Sequence, residues 1–168
     1  MTSNSGNTLT LTLTTGDVAV ALRPDLAPMH VARIKELARE GFYDGVAFHR
    51  VIPGFMAQTG DPTGTGSGGS KLPDLKAEFS PERHVRGTLS MARTNNPDSA
   101  NSQFFICLAD APWLDRQYSV FGQVTSGMEH VDAIKKGGER NNGAISGEPD
   151  RILKARVGAD AEIPPQKA

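Results

Sequence analysis

The chain has 168 residues, a length that suits one domain able to bury roughly 70% of its unfolded surface in a single core. Its 18 Lys and Arg residues nearly balance its 19 Asp and Glu residues, and the net charge of -1 gives no sign of binding to nucleic acid or to an anionic membrane. The start, MTSNSGNTLT, lacks the basic and apolar segments of a signal peptide, and no apolar run approaches the roughly 20 residues that span a bilayer. A single cysteine, Cys107, excludes an internal disulfide and a cysteine-based zinc cluster. These features predict a cytoplasmic protein whose partners are recognised through local chemistry.

The first predicted elements are two strands that form a hairpin. Residues 8–14, TLTLTLT, alternate strictly between polar and apolar side chains, and Val18, Val20 and Leu22 repeat that alternation after a break at 15–17. The chain is therefore expected to open with a β-meander.

A helix with one apolar face is predicted next. Pro28 suits a first helical turn, and Gly41 suits a left-handed stop. Between them, four apolar residues fall at helical spacing: Val31, Ile34, Leu37 and Ala38.

Six further short strands are predicted, each bounded by Gly, Pro, Asn or Asp: 46–51, 55–58, 87–92, 103–108, 119–124 and 151–157. A second helix is predicted at 127–136, where Ser126 and Glu129 have capping-box spacing and two glycines follow. Many strands with only two helices favour an all-β closed sheet, because closure removes exposed edges and two helices can cover the open ends. The polar tails, 1–7 and 159–168, are expected to be disordered around one domain, 8–158.

Two long irregular stretches, 59–86 and 93–102, exceed ordinary connection lengths and are candidates for a binding surface. The first contains GTGSGG at 64–69, which formally matches the GxGxxG of dinucleotide-binding folds. That fingerprint requires a helix to follow, whereas Pro73 disfavours one and Ser70 replaces the lysine of a phosphate loop. The pattern favours a flexible loop with glycines at positive φ or at close backbone approaches, and nucleotide binding is the weaker alternative.

Neither a metal site nor a hydrolase nucleophile is predicted. No serine lies in a GxSxG turn, and the four histidines lack a metal-ligand spacing such as HExxH: His30, His49, His84 and His130. Strand alternation puts His49 and Arg50 on opposite sheet faces, so a hydrogen-bonded structural role is expected for His49. Cys107 within FFICLA is expected to be a small buried apolar residue.

A surface patch is predicted from three segments: FHRVIPGFMAQTGD at 48–61, SQFFICLA at 102–109 and APWLDRQYSVFG at 111–122. In the second segment, alternation puts Gln103 and Phe105 on one face and Phe104 and Ile106 on the other. One phenylalanine must therefore point away from the core. Each such residue alone is more often a core residue, so the prediction rests on their combination.

Together these segments resemble the cyclophilin family of peptidyl-prolyl cis/trans isomerases. FHRVIPGFMAQTGD resembles the family's signature segment, SQFFI and the WLD followed by VFG resemble its second half, and GFYDG at 41–45 resembles its usual lead-in. The similarity runs from about residue 8 to residue 157. It implies a closed eight-stranded antiparallel β-barrel capped by two α-helices, with the active groove on the barrel's outer face.

The resemblance also implies the residues of the groove. Arg50 corresponds to the catalytic arginine, and Gln58 matches a polar position that orients it. The pocket that receives proline corresponds to Phe55, Met56, Phe105 and Leu114, with Phe55 also counted among the catalytic positions. Further groove positions correspond to Gly64, Ala92, Thr94, Gln103, Trp113 and Tyr118, of which Trp113 matches the tryptophan associated with cyclosporin binding.

Two departures from the family pattern bear on ligand preference. Tyr118 stands where many relatives carry histidine, and Arg93 with Thr94 replaces an asparagine and alanine pair, as in bacterial members. Both leave peptide preference and cyclosporin affinity open. The implied partners are proline-containing peptides and proteins and a cyclosporin-type inhibitor. No cofactor, metal, nucleic acid or membrane is expected to bind, and a monomer is expected.

The chemistry implied for Arg50 is hydrogen-bond donation. An Xaa–Pro bond resists rotation because the nitrogen lone pair is delocalised into the carbonyl group. In the twisted transition state that lone pair becomes available, so a fixed donor aimed at it stabilises this state selectively. A guanidinium suits the task because it stays protonated. The alternative is a noncatalytic proline-peptide binding or chaperone module that uses the same groove.

Overall fold

The computed structural model describes residues 7–66, 68–138 and 143–158 of the chain. Within these ranges it has nine strands: β1 Thr8–Leu13, β2 Gly16–Leu22, β3 Val46–Ala47, β4 Arg50–Ile52, β5 Met56–Thr59, β6 Thr88–Met91, β7 Phe104–Cys107, β8 Val120–Ser126 and β9 Arg151–Val157. Among the same described residues, bounds can be given for two α-helices, α1 Pro28–Arg39 and α2 Met128–Asp132, and for a short 3-10 turn at Pro112–Leu114. Apart from residue 7, the expected tails lie outside the described residues.

The strands pair as one antiparallel sheet in the order β3-β9-β1-β2-β8-β6-β7-β5-β4. β3 and β4 are at opposite ends of this order, yet only Phe48 and His49 separate them in the chain. Three Cα steps span at most about 11 Å, so the sheet must curl until its two edges lie close together. The mainly β fold with two helices is confirmed. The closed eight-stranded barrel is not, because the described ladders form an open series of nine strands and the predicted strand 46–51 divides into β3 and β4.

The first helix forms as predicted, whereas the second is shorter. Pro28 begins α1, Gly41 follows it with a φ of 77°, and the apolar face packs against β8 and β9. The capping box expected at the second helix is wrong: Ser126 ends β8, and the N-cap of α2 is Gly127 in the left-handed conformation with no side-chain cap. A Cβ on Gly127 would come 2.2 Å from the carbonyl oxygen of Asp17, so only glycine permits this exit from the strand. Neither described helix is long and apolar enough to cross a membrane.

Strand alternation divides the apolar side chains between two clusters. On β7, Phe104 and Ile106 join the main core inside the curled sheet, whereas Phe105 and Cys107 belong to a second cluster on the other face. The prediction that one phenylalanine points away from the main core is therefore confirmed. The second cluster also contains Met56, Ala111 and Leu114. Cys107 is buried, and burial raises the pKa of its thiol to about 12, as expected of an apolar structural residue.

Candidate active site

The strand register aligns functional side chains across the outer face of the sheet. Arg50 on β4 lies opposite Gln58 on β5, Gln58 lies opposite Phe105 on β7, and Phe105 lies opposite Ser90 on β6. Directly opposed residues point to the same face. One transverse row therefore places a guanidinium group, an amide and an aromatic ring side by side.

A cavity of about 170 Å³, here called the small cavity, opens beside this row. Its lining residues are Arg50, Phe55, Met56, Gln58, Ala92, Arg93, Phe105, Leu114 and Tyr118. Met56, Phe105 and Leu114 are buried and give it an apolar floor. An apolar cup with polar groups at one side suits a compact apolar ring attached to a polar backbone.

A second cavity of about 570 Å³, here called the large cavity, shares Gln58, Ala92 and Arg93 with the small one. The rest of its lining comes from Gln103 and from the two irregular stretches singled out in the sequence: Gly66, Gly68, Gly69, Ser70, Asp74, Thr94, Ser99, Asn101 and Ser102. The shared residues make the two cavities neighbouring parts of one groove.

A relay of amide hydrogen bonds fixes the orientation of Arg50. Arg50 Nη1 donates to Gln58 Oε1 at 3.0 Å, and Gln58 Nε2 donates to Gln103 Oε1 at 2.9 Å. Gln103 Nε2 then donates to the carbonyl oxygens of Gly66 and Gly68, both at 2.9 Å. A guanidinium can only donate and a carbonyl can only accept, so both ends of the relay determine which way each amide faces.

The loop that ends this relay is organised around a buried carboxylate, Asp61. Asp61 accepts hydrogen bonds from the backbone N–H groups of Thr63 at 2.8 Å, Thr65 at 3.1 Å, Gly66 at 2.6 Å and Gly68 at 3.0 Å. Burial alone would raise the pKa of Asp61, but hydrogen bonds from Thr63, Gly68 and Gly66 outweigh it and hold that pKa far below its usual range. The glycine-rich loop thus binds an anion of the chain itself, as successive N–H groups in such loops commonly do.

The floor of the small cavity is supported from below by His84. The His84 ring stacks on Phe105 with 6.2 Å between centroids, and Tyr118 meets Phe105 edge-on at 5.7 Å. His84 Nδ1 lies 3.2 Å from a carboxylate oxygen of Asp115, which only accepts, so Nδ1 carries the proton and Nε2 accepts from Ser90 Oγ at 3.0 Å. Phe105 is therefore held by packed and hydrogen-bonded neighbours.

Burial and charge set the protonation state of Arg50. Desolvation lowers the pKa of this half-buried guanidinium, and the nearby Tyr118 opposes that effect. An arginine pKa starts so high that the side chain remains a cation at neutral pH. The site therefore offers a permanent donor beside an apolar cup.

Most of the predicted site residues meet at this groove. Thr94 and Gln103 line the large cavity. The small cavity is lined by eight of the predicted residues: Arg50, Phe55, Met56, Gln58, Ala92, Phe105, Leu114 and Tyr118. Trp113 lines neither cavity; its side chain is 64% exposed and packs on Phe55 at 5.6 Å between centroids, which places it on the rim. Gly64 also lines neither cavity and is exposed in the glycine-rich loop.

The structure adds two residues that the sequence argument did not place. Arg93, noted only as a departure from the family pattern, lines both cavities. Asp61 organises the loop, and the signal that could have revealed it is an Asp-Pro pair before a run of Thr, Ser and Gly, whose N–H groups readily turn toward a carboxylate. In the part of the chain described, no group of three or more His, Cys, Asp or Glu residues could hold a metal ion.

The structural role expected for His49 is met in part: Gln103 lies near enough to oppose the effect of burial on its pKa, but at a geometry too poor for a regular hydrogen bond. His49 lies between β3 and β4 rather than within a strand, and both of its ring nitrogens are buried with no hydrogen-bond partner among the described residues. Burial lowers the pKa of His49, and it also lowers the pKa values of His30 and His84. The fold therefore favours the neutral form of these three histidines.

We expect the free energy of unfolding to fall as the pH drops below about 6.5, the usual pKa of histidine in an unfolded chain. Between that value and the lower pKa values of His30, His49 and His84 in the fold, the unfolded chain binds more protons, so stability rises with pH across this window. Above about pH 6.5 the three histidines are neutral in both the folded and the unfolded chain, so they no longer make the free energy of unfolding depend on pH. Urea unfolding at several pH values between about 5 and 8 measures the effect. A free energy that is constant across this range would contradict it.

The chain matches the family model described as cyclophilin type peptidyl-prolyl cis-trans isomerase/CLD over residues 8–157. Its curated relatives include probable peptidyl-prolyl cis-trans isomerases of Brucella suis and Brucella melitensis, each 59% identical over 167 residues, with 93% of this chain and 85% of the relative covered. A peptidyl-prolyl cis-trans isomerase of Helicobacter pylori is 46% identical over 126 residues, with 73% of this chain and 76% of the relative covered.

Solved structures that resemble this chain belong to the same family. Cyclophilin AquaCyp293 from Hirschia baltica superposes with a TM-score of 0.82 at 28% identity, covering 93% of this chain and 75% of that one. A cyclophilin type isomerase from Cryptosporidium parvum, solved in the presence of the dipeptide Ala-Pro, has a TM-score of 0.81 at 28% identity and covers 89% of this chain and 98% of that one. The curled sheet, the groove and these similarities together show that the chain belongs to the cyclophilin-type peptidyl-prolyl cis-trans isomerases.

Proposed function

We propose that this isomerase rotates Xaa–Pro bonds by a noncovalent mechanism in which Arg50 donates a hydrogen bond to the prolyl nitrogen. The observation that carries the proposal is the position of a fixed guanidinium at the polar side of the small cavity. The domain that performs the reaction spans residues 8–158, and its substrates are proline-containing peptides and proteins. A cyclosporin-type inhibitor would occupy the same groove with the exposed Trp113 at its rim.

The first step is capture of the proline ring. Phe55, Met56, Phe105 and Leu114 form an apolar cup for the ring, and burial of apolar surface favours its entry. With the ring held, the acyl side of the bond is free to turn. Water displaced from the cup no longer competes with the arginine for the prolyl nitrogen.

The second step is stabilisation of the twisted bond. As the bond rotates, the nitrogen loses conjugation and its lone pair becomes an acceptor for Arg50. Gln58 keeps the guanidinium in place, since its Oε1 accepts from Arg50 while its Nε2 is committed to Gln103. A donor that is already oriented needs no reorganisation when the acceptor appears.

The magnitudes show why both steps are needed. Raising the rate from about 10⁻² to about 10³ per second requires roughly 7 kcal/mol of transition-state stabilisation. One charge-assisted hydrogen bond contributes about 1.5 to 3 kcal/mol, and somewhat more in a dry, preorganised site. The apolar cup must therefore contribute the rest of the transition-state stabilisation. It does so by holding the proline ring in place and by strengthening the electric field of Arg50.

The mechanism transfers no proton, so we expect turnover of an Ala–Pro peptide to vary little between about pH 6 and 9. NMR exchange spectroscopy on the peptide at catalytic amounts of protein measures the turnover directly. A bell-shaped profile would instead indicate an essential acid and base and would contradict donation by Arg50. Binding of the peptide without faster exchange would indicate a noncatalytic binding module.

A further inference from the structure

Arg93 is a cation held rigidly between the two cavities. Its guanidinium lies over the Tyr118 ring at 4.5 Å from the centroid, with the Phe79 ring at 5.9 Å. Its Nε and Nη2 donate to the carbonyl oxygen of Gln117 at 3.1 and 2.7 Å, and Nη1 donates to the carbonyl oxygen of Thr94 at 2.8 Å. These contacts fix the position of the positive charge without cancelling it, because every partner is neutral.

Four arginines of the described chain lie beside a carboxylate, and Arg93 does not. Arg23, Arg86, Arg151 and Arg156 each lie within ion-pair distance of a carboxylate. In the ranges that the structure describes, no such carboxylate pairs with Arg93. At this position beside the substrate groove, a neutralising group is therefore left to come from elsewhere.

The lining of the groove concentrates positive charge around the proline site. The small cavity carries two guanidinium groups, those of Arg50 and Arg93, and no carboxylate. The lining of the large cavity adds one carboxylate, Asp74, which accepts a hydrogen bond from Asn101 Nδ2 at 3.1 Å. The whole chain has a net charge of -1, so this cationic lining is a local property of the groove.

We propose that Arg93 makes the isomerase selective for substrates that carry an acidic side chain within a residue or two of the proline. The inference rests on the proposed function, since it takes the small cavity as the proline site. An extended peptide advances about 3.3 Å per residue, so a side chain close to a proline in the small cavity reaches the boundary where Arg93 lies. A carboxylate there gains from a cation that is already oriented and partly desolvated, whereas an ammonium group is repelled.

The competing explanation is that Arg93 only ties two loops together through the carbonyl groups of Thr94 and Gln117. The two explanations differ in what they require of the side chain. A loop tie needs the planar fork of arginine, whereas charge selection needs only a cation at this place. Arg93→Lys and Arg93→Gln therefore separate them.

The test compares kcat/KM for peptides with Glu, Gln or Lys directly before the proline, and for a second set with the same residues one position earlier. For the wild-type protein we expect the glutamate peptide of at least one set to exceed its lysine counterpart by about 3- to 10-fold. The ratio should shrink when the salt concentration rises from about 50 to about 500 mM. Arg93→Lys should retain the preference and Arg93→Gln should abolish it.

Arg151→Gln is the matched control, because Arg151 is an arginine on β9 that lines neither cavity. It should keep the wild-type ratio. Equal kcat/KM values for the glutamate and lysine peptides in the wild-type protein would overturn the proposal, as would a preference that survives in Arg93→Gln or disappears in Arg93→Lys. An Ala–Pro peptide measured in parallel tests the proposed function by itself, so failure of isomerisation and failure of charge selection are distinguishable.

Discussion

Replacing Arg50 with alanine is expected to lower the turnover of an Ala–Pro peptide by about 10²- to 10³-fold, the range observed when one preorganised donor is removed from an active site. The reason lies in the surroundings of the guanidinium, which faces an apolar cup and is aligned by Gln58. A donor in such a place interacts with the developing lone pair far more strongly than water does. NMR exchange rates on the peptide, compared at equal protein concentration, measure the loss.

Two measurements keep this result interpretable. Arg50 is only half-buried on the outer face, so its removal should change the free energy of urea unfolding little, and a large drop would mean that lost activity reflects lost structure. Arg50→Lys preserves the charge but lacks the planar fork that donates to Gln58, so its turnover should fall between wild type and Arg50→Ala. Near-wild-type turnover in Arg50→Ala would contradict the proposed mechanism.

Local sequence patterns were sufficient for the elements whose periodicity is strong. The alternation in TLTLTLT and the apolar spacing after Pro28 predict β1 and α1 because each element buries one face against the same core. The last strand was predicted at 151–157, which is where β9 lies. Strand alternation also predicts that Phe104 and Phe105 point to opposite faces of the sheet. It thereby locates the outer face on which the groove lies.

The features that sequence periodicity missed depend on contacts between distant segments. The division of 46–51 into β3 and β4 follows from the curl of the sheet, because β3 pairs with β9 and β4 pairs with β5. The second helix begins one residue later than predicted because Ser126 remains paired with Ala19 in the sheet, and it ends at Asp132, four residues before the predicted end. No pattern within either segment encodes these pairings.

The candidate site was accessible mainly through the family resemblance, which supplied the apolar cup and Arg50. The relay from Gln58 to the glycine-rich loop was not accessible, because it joins residues that are far apart in sequence and depends on which way two amides face. The anchor of that loop, Asp61, is equally invisible to a search for catalytic carboxylates. Its partners are backbone N–H groups and the hydroxyl groups of Thr63 and Thr65, and these carry no sequence signature beyond small residues.

Replacing Asp61 with asparagine is expected to lower the free energy of unfolding by about 2 to 4 kcal/mol. The carboxylate accepts hydrogen bonds on both oxygens, from Thr63 on one and from Gly66 and Gly68 on the other. The amide group of asparagine presents N–H to one of these sets of donors, so buried N–H groups would face each other. Urea unfolding at neutral pH measures the change.

The same substitution should also lower turnover, by about 10-fold, through the relay to Arg50. Gly66 and Gly68 donate to Asp61 and accept from Gln103, so a displaced loop removes the support of Gln103 and then of Gln58. Small displacements of a positioned group are sufficient for losses of this size. The expected change is mainly in kcat, since the apolar cup that binds the ring is untouched.

A double-mutant cycle distinguishes this relay from a general loss of structure. Gln103→Leu cuts the relay between Asp61 and Gln58, so Asp61→Asn should lower turnover much less in that background than in the wild-type protein. Asp44→Asn serves as the control, because its carboxylate pairs with the partly exposed Arg156 and a surface ion pair of this kind contributes about 0 to 1 kcal/mol. Equal losses of turnover from Asp61→Asn in both backgrounds would show that the loop acts on Arg50 by another route. Undiminished stability in Asp61→Asn would show that the backbone donors do not depend on the charge.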